Sequence, residues 1–372
     1  MLSPDKSTLI NDTRLTNTAT PAVRPALAVD NFDVVHVLWQ DAGASSDEIY
    51  HMAVNPSLDD RNGTAATVGD ITVVAAHLVS TDDGAASTDP RVSVDGQGRL
   101  HIVWGDDTAG QVRYTRMGAD GTVQISDQVV FDAGSALTWG RALPTVAVDS
   151  NDDVHIAWMD RPSTSIEIFY AMLDGRSPDG GAADVLIDTT ALTPSDGHDT
   201  RYPSIGIGPG NEVTLVYDSA TRIPFWGSYV DGCIVAMLRI DPALDDQSGD
   251  AAVVGSITTL AETIITSQTF ATTLPPSAMT DANGNVYVCY YNSYSGTGTP
   301  PRGSLSFTVL NSTGTPITGT RYLTDGTTAT TTEELTLPSI AVNAGTLPGT
   351  SFVTWTDNPS GNHQILLRII EP

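Results

Sequence analysis

One phrase recurs along this chain and sets what it can become. It runs Pro, small residue, aliphatic, small residue, aliphatic, then Asp or another turn residue, a short polar turn, and an apolar strand ending in Trp or Tyr. It reads PALAVDNFDVVHVLW from Pro25, PRVSVDGQGRLHIVW from Pro90, PTVAVDSNDDVHIAW from Pro144, PSIGIGPGNEVTLVY from Pro203, PSAMTDANGNVYVCYY from Pro276 and PSIAVNAGTLPGTSFVTW from Pro338. Repetition at this spacing means one supersecondary unit used six times, each copy burying an apolar face that it cannot bury alone.

Within each unit the apolar residues alternate with period two and the turns carry Asp, Asn and Gly, which specifies strands and tight hairpins. A polar loop follows the Trp or Tyr, then a third strand (EIYHMAV, QVRYTRM, EIFYAML, CIVAML, SLSFTVL, QILLRII) and usually a fourth. Four antiparallel strands repeated six times predict an all-β, six-bladed β-propeller, read as one domain over 1–372. The sixth repeat stops after its third strand, whereas the chain before Pro25 holds a spare one, so residues 3–12 are expected to complete blade 6 and leave no open edge. A second resemblance, NPSLDDRNGTAATVGDITVV from Asn55 with DPALDDQSGDAAVVGSITTL from Asp241, points to a duplicated three-blade half.

Composition narrows the function. One lysine and 16 arginines face 37 aspartates and seven glutamates, a net charge of −27, so nucleic acid and anionic membranes are excluded as partners. No run approaches the roughly 18 apolar residues of a membrane span, so no membrane insertion is expected. The scarcity of lysine and the Asp-over-Glu bias suit a saline, extracellular or cell-surface setting, although no signal peptide is visible. Cys233 and Cys289 lack the spacing of a zinc or redox motif and read as two buried thiols or a single bridge.

In a propeller the turns between first and second strands lie on one face, and the loops that bind ligands lie on the other. The turn residues Asp30, Asp95, Asp149 and Asp281 need only hairpin chemistry. His36, His101 and His155 occupy one strand position in three blades, too far apart to share a metal, and are expected to pack and hydrogen-bond; so is the column Trp39, Trp104, Trp158, Tyr217, Tyr290, Trp355. The opposite face collects Asp41, Asp106, Asp107, Asp160, Asp218 and Asp357 after the column, with Arg24, Arg141 and Arg201 just before first strands.

Two loops break the symmetry. The connections after Tyr217 and Tyr290 are the longest and carry Arg222, Phe225, Trp226, Tyr229, Tyr291, Tyr294 and Arg302, with His198 and Tyr202 in the adjoining DGHDTRYP; these are the candidate ligand-binding residues. Asp59, Asp60, Asp245, Asp246 and Asp250 are the candidate metal ligands, for Ca2+; no cofactor is otherwise required.

The blade pattern resembles the sialidase-like superfamily of six-bladed propellers over the whole chain. Val23-Arg24-Pro25 followed by ALAVD is similar to the Arg-Ile-Pro motif where sialidases keep one of three carboxylate-binding arginines. The resemblance implies that Arg24, with Arg141 and Arg201, anchors an acidic sugar, with Asp41 or Asp160 as acid/base. The family's Ser-x-Asp-x-Gly-x-Thr-Trp box is absent, and from Pro338 onward the sixth blade has no tyrosine for the expected nucleophile. The sequence therefore favours a non-enzymatic propeller binding a glycan or protein. A sialidase-like glycoside hydrolase is the alternative, and a structural module of a larger surface protein the third reading.

Overall fold

The computed structural model describes residues 10–135, 141–225, 228–266, 275–292, 304–324, 338–342, 350–357 and 364–370. Blade 1 consists of β1 (Val23–Val29), β2 (Val35–Ala42), β3 (Asp47–Val54) and β4 (Thr72–Leu78). Blade 2 holds β5 (Ser87–Val94), β6 (Leu100–Asp106), β7 (Gln111–Met117) and β8 (Val123–Asp132); blade 3 holds β9 (Thr145–Val148), β10 (Asp153–Asp160), β11 (Glu167–Asp174) and β12 (Val185–Ala191). Blade 4 is β13 (Thr200–Ile207), β14 (Val213–Phe225), β15 (Ser228–Ile240) and β16 (Thr258–Ile264). Blade 5 is β17 (Ser277–Thr280), β18 (Val286–Asn292), β19 (Ser304–Leu310) and β20 (Arg321–Tyr322), and blade 6 has β21 (Ser339–Val342), β22 (Ser351–Asp357) and β23 (Gln364–Ile370). Each sheet runs in chain order, the order a six-bladed β-propeller requires. Two compact units divide the chain, Met1–Ile156 with Met172–Leu186 and Ala157–Ala171 with Ile187–Pro372. Among the described residues no helix is long and apolar enough to cross a membrane.

The turn aspartates do more than shape hairpins. Asp30 Oδ1 accepts the backbone N–H groups of Phe32 and Val34 at 2.8 and 2.9 Å, while its other oxygen lies 3.4 Å from His36 Nε2. Asp95 repeats this with Gln97, Arg99 and His101, the last at 3.1 Å, and Asp281 with Asn283, Asn285 and the Tyr287 hydroxyl at 3.2 Å. In blade 3 Asp149 caps Asn151 and Asp153 and sits 3.6 Å from His155 Nε2. Spacing i to i+6 thus lets one carboxylate close the turn and satisfy a buried ring across the strand pair. Asp33, Gly98, Asp152 and Gly284, each three residues after the aspartate, take the left-handed backbone that the turn demands.

Blade cores form between neighbouring sheets. Leu38, Ile49 and Val79 of blade 1 pack with Leu100, Ile102, Trp104 and Met117 of blade 2, and Val216, Val235 and Met237 of blade 4 with Val286, Val288 and Tyr290 of blade 5. Every member of the Trp/Tyr column is buried.

The duplicated insertions match in detail. Each has a short 3-10 turn (Pro56–Leu58, Pro242–Leu244) and a one-turn helix, α1 (Val68–Ile71) or α2 (Val254–Ile257). Asp188 of β12 makes a parallel bridge to Ala251, and Thr190 Oγ1 accepts the Ala252 N–H at 3.0 Å. Asn11 makes the same bridge to Ala65, and Thr13 Oγ1 accepts the Ala66 N–H at 3.0 Å, with Ile10 buried in the blade 1 core. Ile10-Asn11-Asp12-Thr13 therefore occupies, beside blade 1, the place that Ile187-Asp188-Thr189-Thr190 of blade 3 occupies beside blade 4. Residues 3–9 of the expected closing strand lie outside the described residues, and blade 6 shows three strands among those described.

Truncation before Arg14 removes the Ile10, Asn11 and Thr13 contacts together, and calorimetry should register a Tm lower by on the order of 5 °C. A second outcome concerns pH. His51 is fully buried, stacked on His36 at 5.3 Å and edge-on to His77 at 5.0 Å. Burial, with His36 and His77 beside it, pushes its pKa down to about 3. The unfolded chain takes up this proton near pH 6.5 and the folded chain does not, so stability falls as pH drops below that value and continues to fall toward pH 3. Unfolding followed from pH 7 to 4 should lose about 3 kcal/mol through this group, and His51→Gln should flatten the slope by that amount.

Candidate functional site

First strands open with a strained step. Arg24, Asp89, Leu143 and Tyr202 have φ of 52°, 54°, 44° and 58°, and each is followed by proline. Holding a non-glycine residue there costs on the order of 1–3 kcal/mol, and the following proline restricts it further. Strand pairing slips at the same step, between Val23 and Ala26, Thr88 and Arg91, and Arg201 and Ser204. These are β-bulges, which take one side chain out of the in-and-out alternation and re-aim it.

In blades 1 and 2 the bulges place opposite charges together. Arg24 Nε lies 3.3 Å from Asp89 Oδ1, and its Nη1 donates to Asp89 Oδ2 at 3.3 Å and to Gln40 Oε1 at 2.9 Å. Arg141 donates to the same Asp89 oxygen at 3.3 Å and extends to within 3.8 Å of Asp107. Arg91 is the third guanidinium and donates to the Pro90 carbonyl at 2.9 Å. Burial lowers its pKa, with Asp89 opposing and Arg24 reinforcing the shift.

Asp107 completes the group. Thr88 Oγ1 donates to its Oδ2 at 2.7 Å, whereas Oδ1 is buried without a hydrogen-bond partner. Burial raises its pKa, and although the Thr88 hydroxyl opposes this and Asp89 adds to it, the net shift is upward. Gly105 makes room: a Cβ there would stand 3.0 Å from Asp107 Oδ1 and 3.6 Å from Thr88 Oγ1. A carboxyl whose pKa burial raises thus stands beside an ion-paired one, an arrangement suited to acid/base work.

The other sequence candidates are distributed as follows. Arg201 pairs with Asp199, shared with Arg161 at 3.7 Å, and Asp160 is buried with a raised pKa from that burial. Asp41 has the opposite environment: burial would raise it, but the Thr20 and Thr18 hydroxyls at 2.5 and 2.9 Å and the Ala42 N–H hold it below the usual carboxylate range. His198 is half-buried, its N–H on Asp196. Asp59, Asp60, Asp245 and Asp246 accept backbone N–H groups two residues on, and Asp250 accepts the Ser248 hydroxyl; among the described residues no group of three or more His, Cys, Asp or Glu is placed to hold a metal ion.

Sequence reading took the segment after Tyr217 for a loop, and it is strand. β14 and β15 stay paired without a slip from Tyr217 opposite Ala236 to Phe225 opposite Ser228, so Arg222, Phe225 and Tyr229 lie on an extended hairpin. Backbone pairing continues through this polar stretch without interruption. Trp226, Tyr294 and Arg302 lie outside the described residues, while Tyr291 is partly buried at the end of β18. Cys289 is a buried free thiol.

Several polar residues were missed. Asp89 sits in the slot of Arg24, and aligning the repeats on their prolines would have exposed it. Glu48 and Glu167 are fully buried, each in a Ser-x-Glu-Ile run. Glu48 accepts from Ser46 and Ser80 at 2.6 Å each, and Glu167 from Ser165 at 2.5 Å and Thr193 at 2.7 Å. Burial raises both pKa values and the hydroxyls oppose it.

No protein-family model and no curated protein matches the chain. Solved structures do. A protein of unknown function from Dyadobacter fermentans is 12% identical over 95% of this chain and 96% of its own, with a TM-score of 0.59. An α-L-arabinanase from Penicillium chrysogenum, complexed with arabinobiose, is 11% identical over 98% and 97%, with a TM-score of 0.56. The NanB sialidase from Streptococcus pneumoniae is 9% identical over 98% of this chain and 71% of its own, with a TM-score of 0.55. The likeness is one of fold, that of a six-bladed β-propeller.

The charge cluster should behave asymmetrically. Asp89→Asn leaves Arg24 and Arg141 without their shared carboxylate, and urea unfolding should show a loss of about 3 kcal/mol. Arg141→Ala removes a guanidinium that is 43% exposed, and should cost under about 1 kcal/mol.

Proposed function

We propose that the protein is a carbohydrate-active enzyme, a glycoside hydrolase of sialidase-like architecture acting on a glycan that carries an acidic group. The observation that carries this reading is Asp107, a carboxyl with a raised pKa and an unpartnered buried oxygen, next to Asp89 in its arginine pairs. Glycoside cleavage needs two carboxyl groups in different protonation states, one to protonate the leaving oxygen and one to act as base or nucleophile. Asp107 takes the first role and Asp89 the second. Arg24, Arg91 and Arg141 supply three positive charges in a chain of net −27, a local reversal of sign that favours an anionic substituent. The arabinanase and sialidase neighbours lend support at the level of fold, where glycoside chemistry is common to both.

The second reading keeps the protein as a non-catalytic glycan or protein binder. It is favoured by the blade 4 hairpin, whose β14 ends eight residues after Tyr217, against two or three after the tryptophan in blades 1 to 3. An extracellular or cell-surface location is proposed for either, on the strength of the acidic composition.

A screen on fluorogenic glycosides separates the two. Turnover should fall by roughly 100-fold or more in Asp107→Asn with the fold retained. Absence of turnover on every glycoside, or full activity in Asp107→Asn, would sink the enzymatic reading. The pH profile adds a sign: the acid must be protonated, so kcat/KM should decline as pH rises through the Asp107 pKa. Thr88→Val removes a hydrogen bond that lowers that pKa, and should move this alkaline limb to higher pH.

A further inference from the structure

A second cluster of arginine and aspartate stands on blades 3 and 4, and the chemistry just proposed makes no use of it. Asp199 anchors it: Oδ1 accepts the Ile166 N–H at 2.8 Å, and its backbone carbonyl accepts the Ala220 N–H at 2.7 Å. The free side of the carboxylate holds two guanidiniums, Arg201 by a hydrogen bond and Arg161 at 3.7 Å. Both remain about one-third exposed, so each keeps donors for something else, and Arg201 Nε is buried without a hydrogen-bond partner. Tyr202 follows, held at φ 58° before Pro203 with its N–H 3.0 Å from Met159 Sδ. It is the blade 4 counterpart of Arg24 and Asp89, at the bulge that builds the first cluster.

Charge separates the two clusters. Around Asp89, three guanidiniums gather about one ion-paired carboxylate and the Asp107 carboxyl, so positive groups outnumber carboxyls. Here two guanidiniums meet Asp199, and Asp218 stands opposite Arg201 in the strand register. The charges balance, and donors alternate with acceptors. An anion would be repelled by the carboxylates, whereas a pair of sugar hydroxyls can donate to a carboxylate and accept from a guanidinium at once. A partly exposed tyrosine beside such a pair offers a ring face to the apolar side of a sugar.

We infer that Arg161, Asp199, Arg201 and Tyr202 form a second carbohydrate site, which binds a neutral sugar residue through two neighbouring hydroxyl groups. The inference rests on the glycan reading above and specifies that the ligand contains a neutral residue besides its acidic one. Calorimetry on the Asp107→Asn protein, where turnover cannot consume the probe, tests it with arabinobiose and lactose as neutral probes and sialyllactose as the acidic one. At least one neutral disaccharide should bind and should weaken by 10-fold or more in Arg161→Ala. The milder Arg161→Gln, which keeps the side-chain length without the fork, should weaken it as well. Arg141→Ala should leave neutral binding unchanged and weaken sialyllactose. Failure of both neutral probes to bind, binding indifferent to Arg161, or neutral binding lost with Arg141→Ala would each overturn the second site. Retained turnover in Asp107→Asn would instead overturn the catalytic assignment, leaving the site on blades 3 and 4 to be judged by the same titrations.

Discussion

The structure depends first on one carboxylate, in each of blades 1, 2, 3 and 5, doing two jobs. An aspartate at the first hairpin caps the turn through its Oδ1, and through its other oxygen meets a buried His or Tyr six residues on. Buried imidazole and phenol groups would be costly without a partner, and the turn needs its N–H groups satisfied; one side chain answers both requirements. Blade 4, with Gly208 and Thr214 in these places, uses another solution: Arg239 donates to Thr214 at 3.3 Å and to the Ser312 carbonyl at 3.0 Å, tying blade 4 to blade 5. Arg116 does the same from blade 2 to the Gly175 carbonyl of blade 3 at 2.6 Å. The polar groups inside this β-protein are therefore fastenings, and much of the aspartate excess is structural.

The same repeat generates the candidate sites. A left-handed residue before proline is unfavourable wherever it occurs, yet it recurs in four blades, so the bulge it creates belongs to the architecture. What varies is the side chain it presents. Arginine in blade 1 and aspartate in blade 2 neutralise each other and gather Arg91, Arg141 and Asp107 around them; tyrosine in blade 4 adjoins a balanced Arg-Asp group. Function can diversify at these positions without touching the strands, because the backbone cost is already part of every blade.

Much of this was legible beforehand, and for identifiable reasons. Period-two alternation and the recurring Pro and Asp gave the strands, the turns and the blade count, because local patterning decides them. The aromatic column was recognisable as core because it repeats with the fold. The stretch from Ser219 to Phe225 was not read as strand, since its polar residues mask the pairing that continues there. Asp107 stood among the acidic residues after the column but could not be set apart: Asp41 follows a tryptophan in much the same way, and the two threonine hydroxyls and the Ala42 N–H gathered on it give it the opposite pKa shift. Arg91 looked like an ordinary strand residue, since nothing in its neighbours along the chain reveals a guanidinium held next to Arg24.

By itself, the sequence determined the repeat, the strand order within each blade, the turn chemistry and the sign of the protein's field. These follow from residues within a few positions of one another, where periodicity and turn preference act. Tertiary structure alone decided which charges meet. Arg24, Asp89 and Arg141 are separated by 65 and 52 residues along the chain, and their pairing depends on two bulges and the packing of adjacent sheets. Protonation follows the same rule: a carboxyl's proton affinity depends on burial and on neighbours brought in from other strands, so Asp107 and Asp41 part company only once the chain is folded.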